Sequence, residues 1–168
     1  NNTAYIVMEY VQGITLKKLL RDMGRPMTVQ EALQVMDPVL RGMQKVHERQ
    51  LIHRDISPDN LMMENGRIRL IDFGCARQPE KGEVTMTIIL KHGYAPIEQY
   101  TNRGQGPWTD VYALAVTIYR CITGKMIQDS QTRIVNDTTI WPSQMGIAIP
   151  SGQWELALKK GMALRIED

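Results

Sequence analysis

The side chains able to do chemistry concentrate in two stretches, His53-Arg54-Asp55-Ile56-Ser57-Pro58-Asp59-Asn60 and Asp72-Phe73-Gly74. A carboxylate held in a turn, such as Asp55, orients a substrate hydroxyl or accepts its proton. Asn60 and Asp72 supply hard oxygen donors of the kind Mg²⁺ takes when it bridges nucleotide phosphates. They stand twelve positions apart, so a hairpin between them brings both to one ion without closing a long loop.

The flanking sequence supplies that hairpin and the helices behind it. Leu61–Met63 and Ile68–Ile71 are short apolar runs joined by Glu64-Asn65-Gly66-Arg67, and the Asn-Gly pair predicts a tight turn between two strands. Thr28-Val29-Gln30-Glu31 has the form of a capping box. Val29, Ala32, Leu33, Met36, Val39, Leu40, Met43 and Val46 then recur at helical spacing, predicting a core-facing helix to about His47 with a kink at Pro38. A second helix is expected over Asp110–Thr123, closed by Gly124, and a third over Trp154–Leu164. Ala4–Met8 reads as a buried strand. The fold class expected is mainly α (α+β): a helical bundle with small β-hairpins at a cleft.

Composition bounds the rest. The 168 residues are 43% hydrophobic and 23% charged, with 20 Lys+Arg against 18 Asp+Glu, which suits one globular domain and gives no bulk charge for nucleic acid or acidic membranes. Cys75 and Cys121 form no CxxC and no framework spacing, which argues against a disulfide-stapled or zinc-bound fold and for a reducing, cytoplasmic setting. The longest apolar stretch, Tyr112–Tyr119, is far below the ~20 residues of a spanning helix. No leader is expected, although an anchor elsewhere in a longer protein is compatible with this. His47 and His92 have no paired ligands and read as ordinary residues, Cys75 as a small filler, and the eleven methionines as core.

Taken in order, these motifs resemble the eukaryotic-like Ser/Thr protein kinases of bacterial style. Met8-Glu9-Tyr10-Val11 is similar to the end of the fifth strand and the hinge, residues 53–60 to the catalytic loop, and Asp72-Phe73-Gly74 to the opening of the activation segment. Ala95-Pro96-Ile97-Glu98 resembles its closing Ala-Pro-Glu with one extra residue, and Asp110-Val111-Tyr112 the start of the large buried helix. The resemblance implies ATP and Mg²⁺ as cofactors and a protein substrate. It implies Asp55 as catalytic base, Asn60 and Asp72 as Mg²⁺ ligands, backbone bonds from Glu9 and Val11 to the adenine edge, Met62 packing under the ring and Met8 as gatekeeper. Asp110 would accept backbone bonds from the catalytic loop, while His53 and Phe73 would be core packing. Arg54 implies control by phosphorylation of the activation segment, with Thr85 and Thr87 as acceptors.

Within that resemblance the chain is expected to be a C-terminal lobe over residues 1–168. Its parts would be the last upper-lobe strand and hinge (1–13), catalytic loop (53–60), activation segment (72–98) and central helix (108–123). Residues 1–168 hold no Gly-rich loop, strand lysine or helix glutamate, so both ends read as cuts through a longer domain and the isolated lobe is expected to be inactive. Its missing partner would be the upper lobe of the same chain. An exposed interface at Met8, Met62 and neighbouring strand residues is expected to drive association into a homodimer. Glu98 lacks its usual arginine and is expected to recruit Arg165 or solvent.

One departure is chemical. Ser57 stands where the family carries a lysine that contacts the transferred phosphate, and Lys91 stands near the family's activation-segment threonine. The expectation is that Lys91 reaches back to Asp55 and Ser57 and restores the cation, against the alternative of a solvent-exposed lysine. Two other functions compete with the kinase: a pseudokinase or scaffold, favoured by Ser57, and a small-molecule kinase of aminoglycoside or choline type, disfavoured by residues 95–98.

Overall fold

The computed structural model describes residues 7, 9–76, 90–101 and 104–167. Of the buried strand expected over Ala4–Met8 only Val7 is described, and it is 96% exposed rather than buried; gatekeeper Met8, Thr85 and Thr87 lie outside the described residues.

The described chain is mostly helical, with one three-stranded antiparallel sheet. Strand β1 (Ile14–Thr15) runs directly into helix α1 (Leu16–Met23), followed by α2 (Val29–Glu48), β2 (Leu61–Glu64) and β3 (Arg67–Leu70). A 3₁₀ turn at Phe73–Cys75 precedes α3 (Ile97–Thr101), α4 (Pro107–Thr123), α5 (Ser130–Val135), a 3₁₀ turn at Pro142–Met145, and α6 (Gly152–Gly161). The sheet order is β1-β2-β3, with Leu61 opposite Leu70 and Glu64 opposite Arg67 in the hairpin and Thr15 opposite Met62 on its other edge. Asn65 and Gly66 both take the left-handed backbone that the Asn-Gly pair was expected to supply. Gly13 brings β1 in: a Cβ there would stand 2.2 Å from the Met63 carbonyl oxygen.

Helix α2 begins as the sequence predicts. Thr28 accepts from the Glu31 amide, Glu31 accepts from the Thr28 amide at 2.7 Å, and the helix runs through Pro38 to Glu48. Its buried face is Val29, Ala32, Met36, Val39 and Met43, packed on α4 and β3. Leu40, expected on that stripe, is 37% exposed because it falls at the stripe's edge. Helix α4 is apolar nearly all round and buries Tyr112 to Tyr119 continuously, sandwiched between α2 and α6. It starts three residues earlier than expected, at Pro107, and ends at Gly124, whose left-handed φ of 68° closes it. Helix α6 is displaced from the expected range to Gly152–Gly161, where Leu158 is buried and Leu156 is 58% exposed.

Two elements were not anticipated. Leu16, Leu19, Leu20 and Met23 give α1 an apolar stripe at helical spacing, with Thr15 as its N-cap and Gly24 as its C-cap. Helix α5 carries Arg133, 3% exposed, which donates to the Tyr112 hydroxyl (3.0 Å) and the Met162 carbonyl (3.2 Å) and pairs with Asp137 (2.8 Å). Such a buried cation is tolerable because its donors are used; here it ties α5 to α4 and the end of α6. No helix is long and apolar enough to cross a membrane among the described residues.

Candidate active site

The loop of residues 53–60, expected to be the catalytic loop, is pinned by residues that are themselves buried. Ile56 and Ser57 are sealed in the core, His53 is fully buried, and the loop's carboxyl end joins β2 through Asn60. Asp110, with no exposed side-chain surface, accepts the backbone N–H of His53 (2.9 Å) and of Arg54 (2.8 Å). His47 of α2 adds a third contact, Nε2 to Asp110 Oδ2 at 2.8 Å. A buried carboxylate persists when its lone pairs are used in this way. The reading of His47 as an ordinary residue therefore missed a structural partner; no periodic signal marks it, since Asp110 is 63 residues away.

These bonds hold Arg54 at φ 68°, a left-handed conformation that costs an ordinary residue about 1–2 kcal/mol. The turn aims Asp55 back at its own loop. The Asn60 amide donates to the Asp55 carbonyl (2.8 Å) and to its Oδ2 (2.7 Å). The Asp55 N–H donates to His53 Nδ1 (3.3 Å), so the ring proton sits on Nε2 and faces the Ile71 carbonyl (3.3 Å). Burial first of all pushes the His53 imidazole below its ordinary value, only partly opposed by Asp110, which keeps the ring neutral.

Lys91 supplies the cation. Its Nζ stands 3.2 Å from Asp55 Oδ1 and donates to Ser57 Oγ at 2.9 Å, with the ammonium side chain about a quarter exposed. The expected solvent-exposed alternative for Lys91 is not what the geometry gives. Helix α3 is tied to the loop through Gln99, whose Nε2 donates to the Arg54 carbonyl (2.8 Å), and the residue Ala95 just before it is tied to α5 through Ser130 Oγ, which donates to its carbonyl (2.9 Å).

Asp72 follows β3 at φ 63° and accepts the Gly74 N–H at 3.1 Å. Its exposed carboxylate and the Asn60 side-chain amide oxygen are hard donors at the two ends of the hairpin, a donor set that suits Mg²⁺ better than a soft metal. Phe73 corrects an expectation: it is 48% exposed rather than core, meeting only the edge of His53 with ring centroids 4.6 Å apart. Of the residues expected at the adenine, Met62 lies half-buried in the middle strand, Val11 is half-buried, and Glu9 is exposed and paired to Arg69 of β3 at 3.2 Å. Glu98 is 7% exposed and accepts the Thr109 hydroxyl at 2.9 Å; Arg165 shares a cavity of about 470 Å³ with it but forms no ion pair among the described residues.

Residues 1–156 match the sequence profile of the protein kinase domain. The chain belongs to the protein kinase family. It is 32% identical over 133 residues to the serine/threonine-protein kinase PrkC of Bacillus subtilis, covering 77% of this chain and 20% of that protein. It is 35% identical over 123 residues to PknL of Mycobacterium tuberculosis (71% and 31%) and 38% identical over 130 residues to serine/threonine-protein kinase F of Synechocystis (74% and 26%). Among solved structures it resembles PpkA-294 in its apo form, with a TM-score of 0.74 and 28% identity over 95% of this chain and 57% of that one. The chain thus spans under a third of these curated relatives, and its helical fold is that of a kinase C-lobe.

Proposed function

We propose that this chain is the C-lobe, residues 1–168, of a two-lobed protein serine/threonine kinase that transfers the γ-phosphate of ATP to Ser or Thr of protein substrates. The observation that carries this reading is the cluster of Asp55, Asn60 and Lys91 around one turn, with Asp55 Oδ2 on Asn60 and Oδ1 on Lys91. Asp55 orients the acceptor hydroxyl and takes its proton. Asn60 and Asp72 hold Mg²⁺, which when bound neutralises charge on the phosphates. Lys91 replaces the lysine missing at Ser57 and faces the transferred phosphoryl group, where charge stabilisation matters most. Glu9, Val11 and Met62 receive the adenine, with Met8 at its back.

Arg54 follows the same reading as the receptor for a phosphate on Thr85 or Thr87. The missing partner is the upper lobe, and the face it covers, including Met62, is where separate C-lobes associate. A non-catalytic binding module is the second reading, favoured by Ser57.

The deciding experiment is transfer of labelled phosphate from Mg-ATP by the complete protein onto itself and a generic protein substrate, beside Asp72→Asn. Signal that is lost in the variant supports the kinase. A folded protein that binds nucleotide and transfers nothing makes it the binding module.

A further inference from the structure

The catalytic loop has a second side. Beyond Pro58 and Asp59 the surface opens into a cavity of about 810 Å³ between α1, the loop, Tyr94 of the activation segment and the C-terminal end of α4. Its wall holds five cationic side chains, Lys17, Lys18, Arg21, Arg25 and Arg120, against a single carboxylate, Asp59.

The cations differ in what already neutralises them. Lys17 pairs with Asp59 at 3.0 Å, Lys18 with Asp22, and Arg25 with Glu31 at 2.7 Å. Arg21 only grazes Asp22, at 3.5 Å, and its side chain is 75% exposed. Arg120 is half-buried in the last turn of α4, where one Nη1 donates to the Gly124 carbonyl, and no carboxylate lies within ion-pair distance of it among the described residues. A guanidinium has five donors in a planar fork, so most of Arg120's capacity is unspent in a partly desolvated wall.

Position gives this site its meaning. The Lys17 N–H donates to the Pro58 carbonyl at 3.0 Å, fixing α1 against the catalytic loop three residues beyond Asp55. A polypeptide that presents a hydroxyl to Asp55 therefore passes the mouth of the cavity within a few residues.

We propose that this cavity binds an acidic side chain of the protein substrate, close in sequence to the acceptor hydroxyl, with Arg120 and Arg21 as the groups that grip its carboxylate. Paired N–H donors from a guanidinium match a carboxylate in geometry and charge, and the two guanidiniums without a close carboxylate repel a lysine at the same place. The proposal rests on the kinase reading and deepens it by naming a substrate class.

The test uses the complete protein and peptides that share one acceptor serine, with Glu, Ala or Lys scanned across the flanking positions. Phosphorylation gives kcat/KM, and fluorescence anisotropy of the same labelled peptides gives binding independently of turnover. The expected result is a Glu-over-Lys preference of about tenfold or more at one or two positions, falling toward unity in Arg120→Gln and, as an exposed variant that leaves the core alone, in Arg21→Glu. Equal use of Glu and Lys peptides, or a preference that survives both variants, overturns the proposal while the kinase reading stands. Tight Glu-peptide binding lost in both variants without any phosphate transfer overturns the kinase reading and leaves the acid-binding cavity.

Discussion

Ser57 and Lys91 are 34 residues apart in sequence yet share a hydrogen bond of 2.9 Å, and the pair makes sense as an exchange of residue types across a cleft. A two-way exchange has a signature that a merely tolerant site lacks. In the complete protein, Lys91→Thr should lower kcat/KM by about a hundredfold, the usual loss on removing one charge-stabilising donor. Adding Ser57→Lys to Lys91→Thr should regain at least about tenfold, although Ser57→Lys alone crowds two cations and lowers activity. Strictly additive losses would sink the exchange. This pair was legible only through the resemblance, which says what type usually stands at each position; spacing alone carries no such signal. Asp55, Asn60 and Asp72 were singled out as candidates by their chemistry and order. His47 was not, because a histidine late on an apolar helix looks the same whether it faces solvent or a buried carboxylate. Phe73 went the other way, since hydrophobicity implies burial but cannot say that the neighbouring turn leaves half a ring exposed.

At the scale of elements, local signals that close within a few residues were the reliable ones. The capping box at Thr28 fixes the start of α2, and Thr28→Ala should cost about 1 kcal/mol, seen as a lower midpoint in chemical denaturation with an unchanged slope. Helix α1 was equally local, with its cap, stripe and closing glycine all in the sequence, and was passed over because its eight residues sit between stronger segments. Strand β1 has only two residues and exists through its partner β2, which no periodicity reports. The junction of α3 and α4 shows what sequence order leaves open. Glu98 was expected to find Arg165 or water, and instead accepts the Thr109 hydroxyl. Burial pushes its carboxyl above the ordinary 4.5, so folding disfavours the charged form. That destabilisation is absent below the ordinary value, grows as pH rises from it toward the raised value, and is complete only above the raised value. Glu98→Gln should therefore melt higher than the parent sequence at pH 7, with the gain vanishing in acid. A gain independent of pH, or a loss at pH 7, would show that the charged carboxylate is stabilised after all.

For the whole molecule, the distribution of chemistry matters more than its inventory. On the proposed reading the lobe holds the base, the metal oxygens and a cation at the reacting end of the cleft, and α4 braces the loop before Asp55 through Asp110. Nothing within residues 1–168 supplies a Gly-rich loop or strand lysine to hold the nucleotide's phosphates from above, and phosphoryl transfer depends almost wholly on such alignment. The chain alone should therefore transfer no measurable phosphate, while the proposed function predicts transfer by the complete protein. The surface on the nucleotide side also carries apolar groups, with Val7 96%, Tyr10 87% and Phe73 48% exposed. Large apolar side chains left this exposed gain by being covered by a partner. Light scattering of the 168-residue chain should show mass rising with concentration, and the upper lobe supplied as a separate polypeptide should reverse that association and restore transfer together. A monomer at every concentration would place those side chains among ordinary exposed residues. Transfer by the unassociated chain would mean that Lys91, Asn60 and Asp72 align the phosphates without help, which the one-sided placement of these groups argues against.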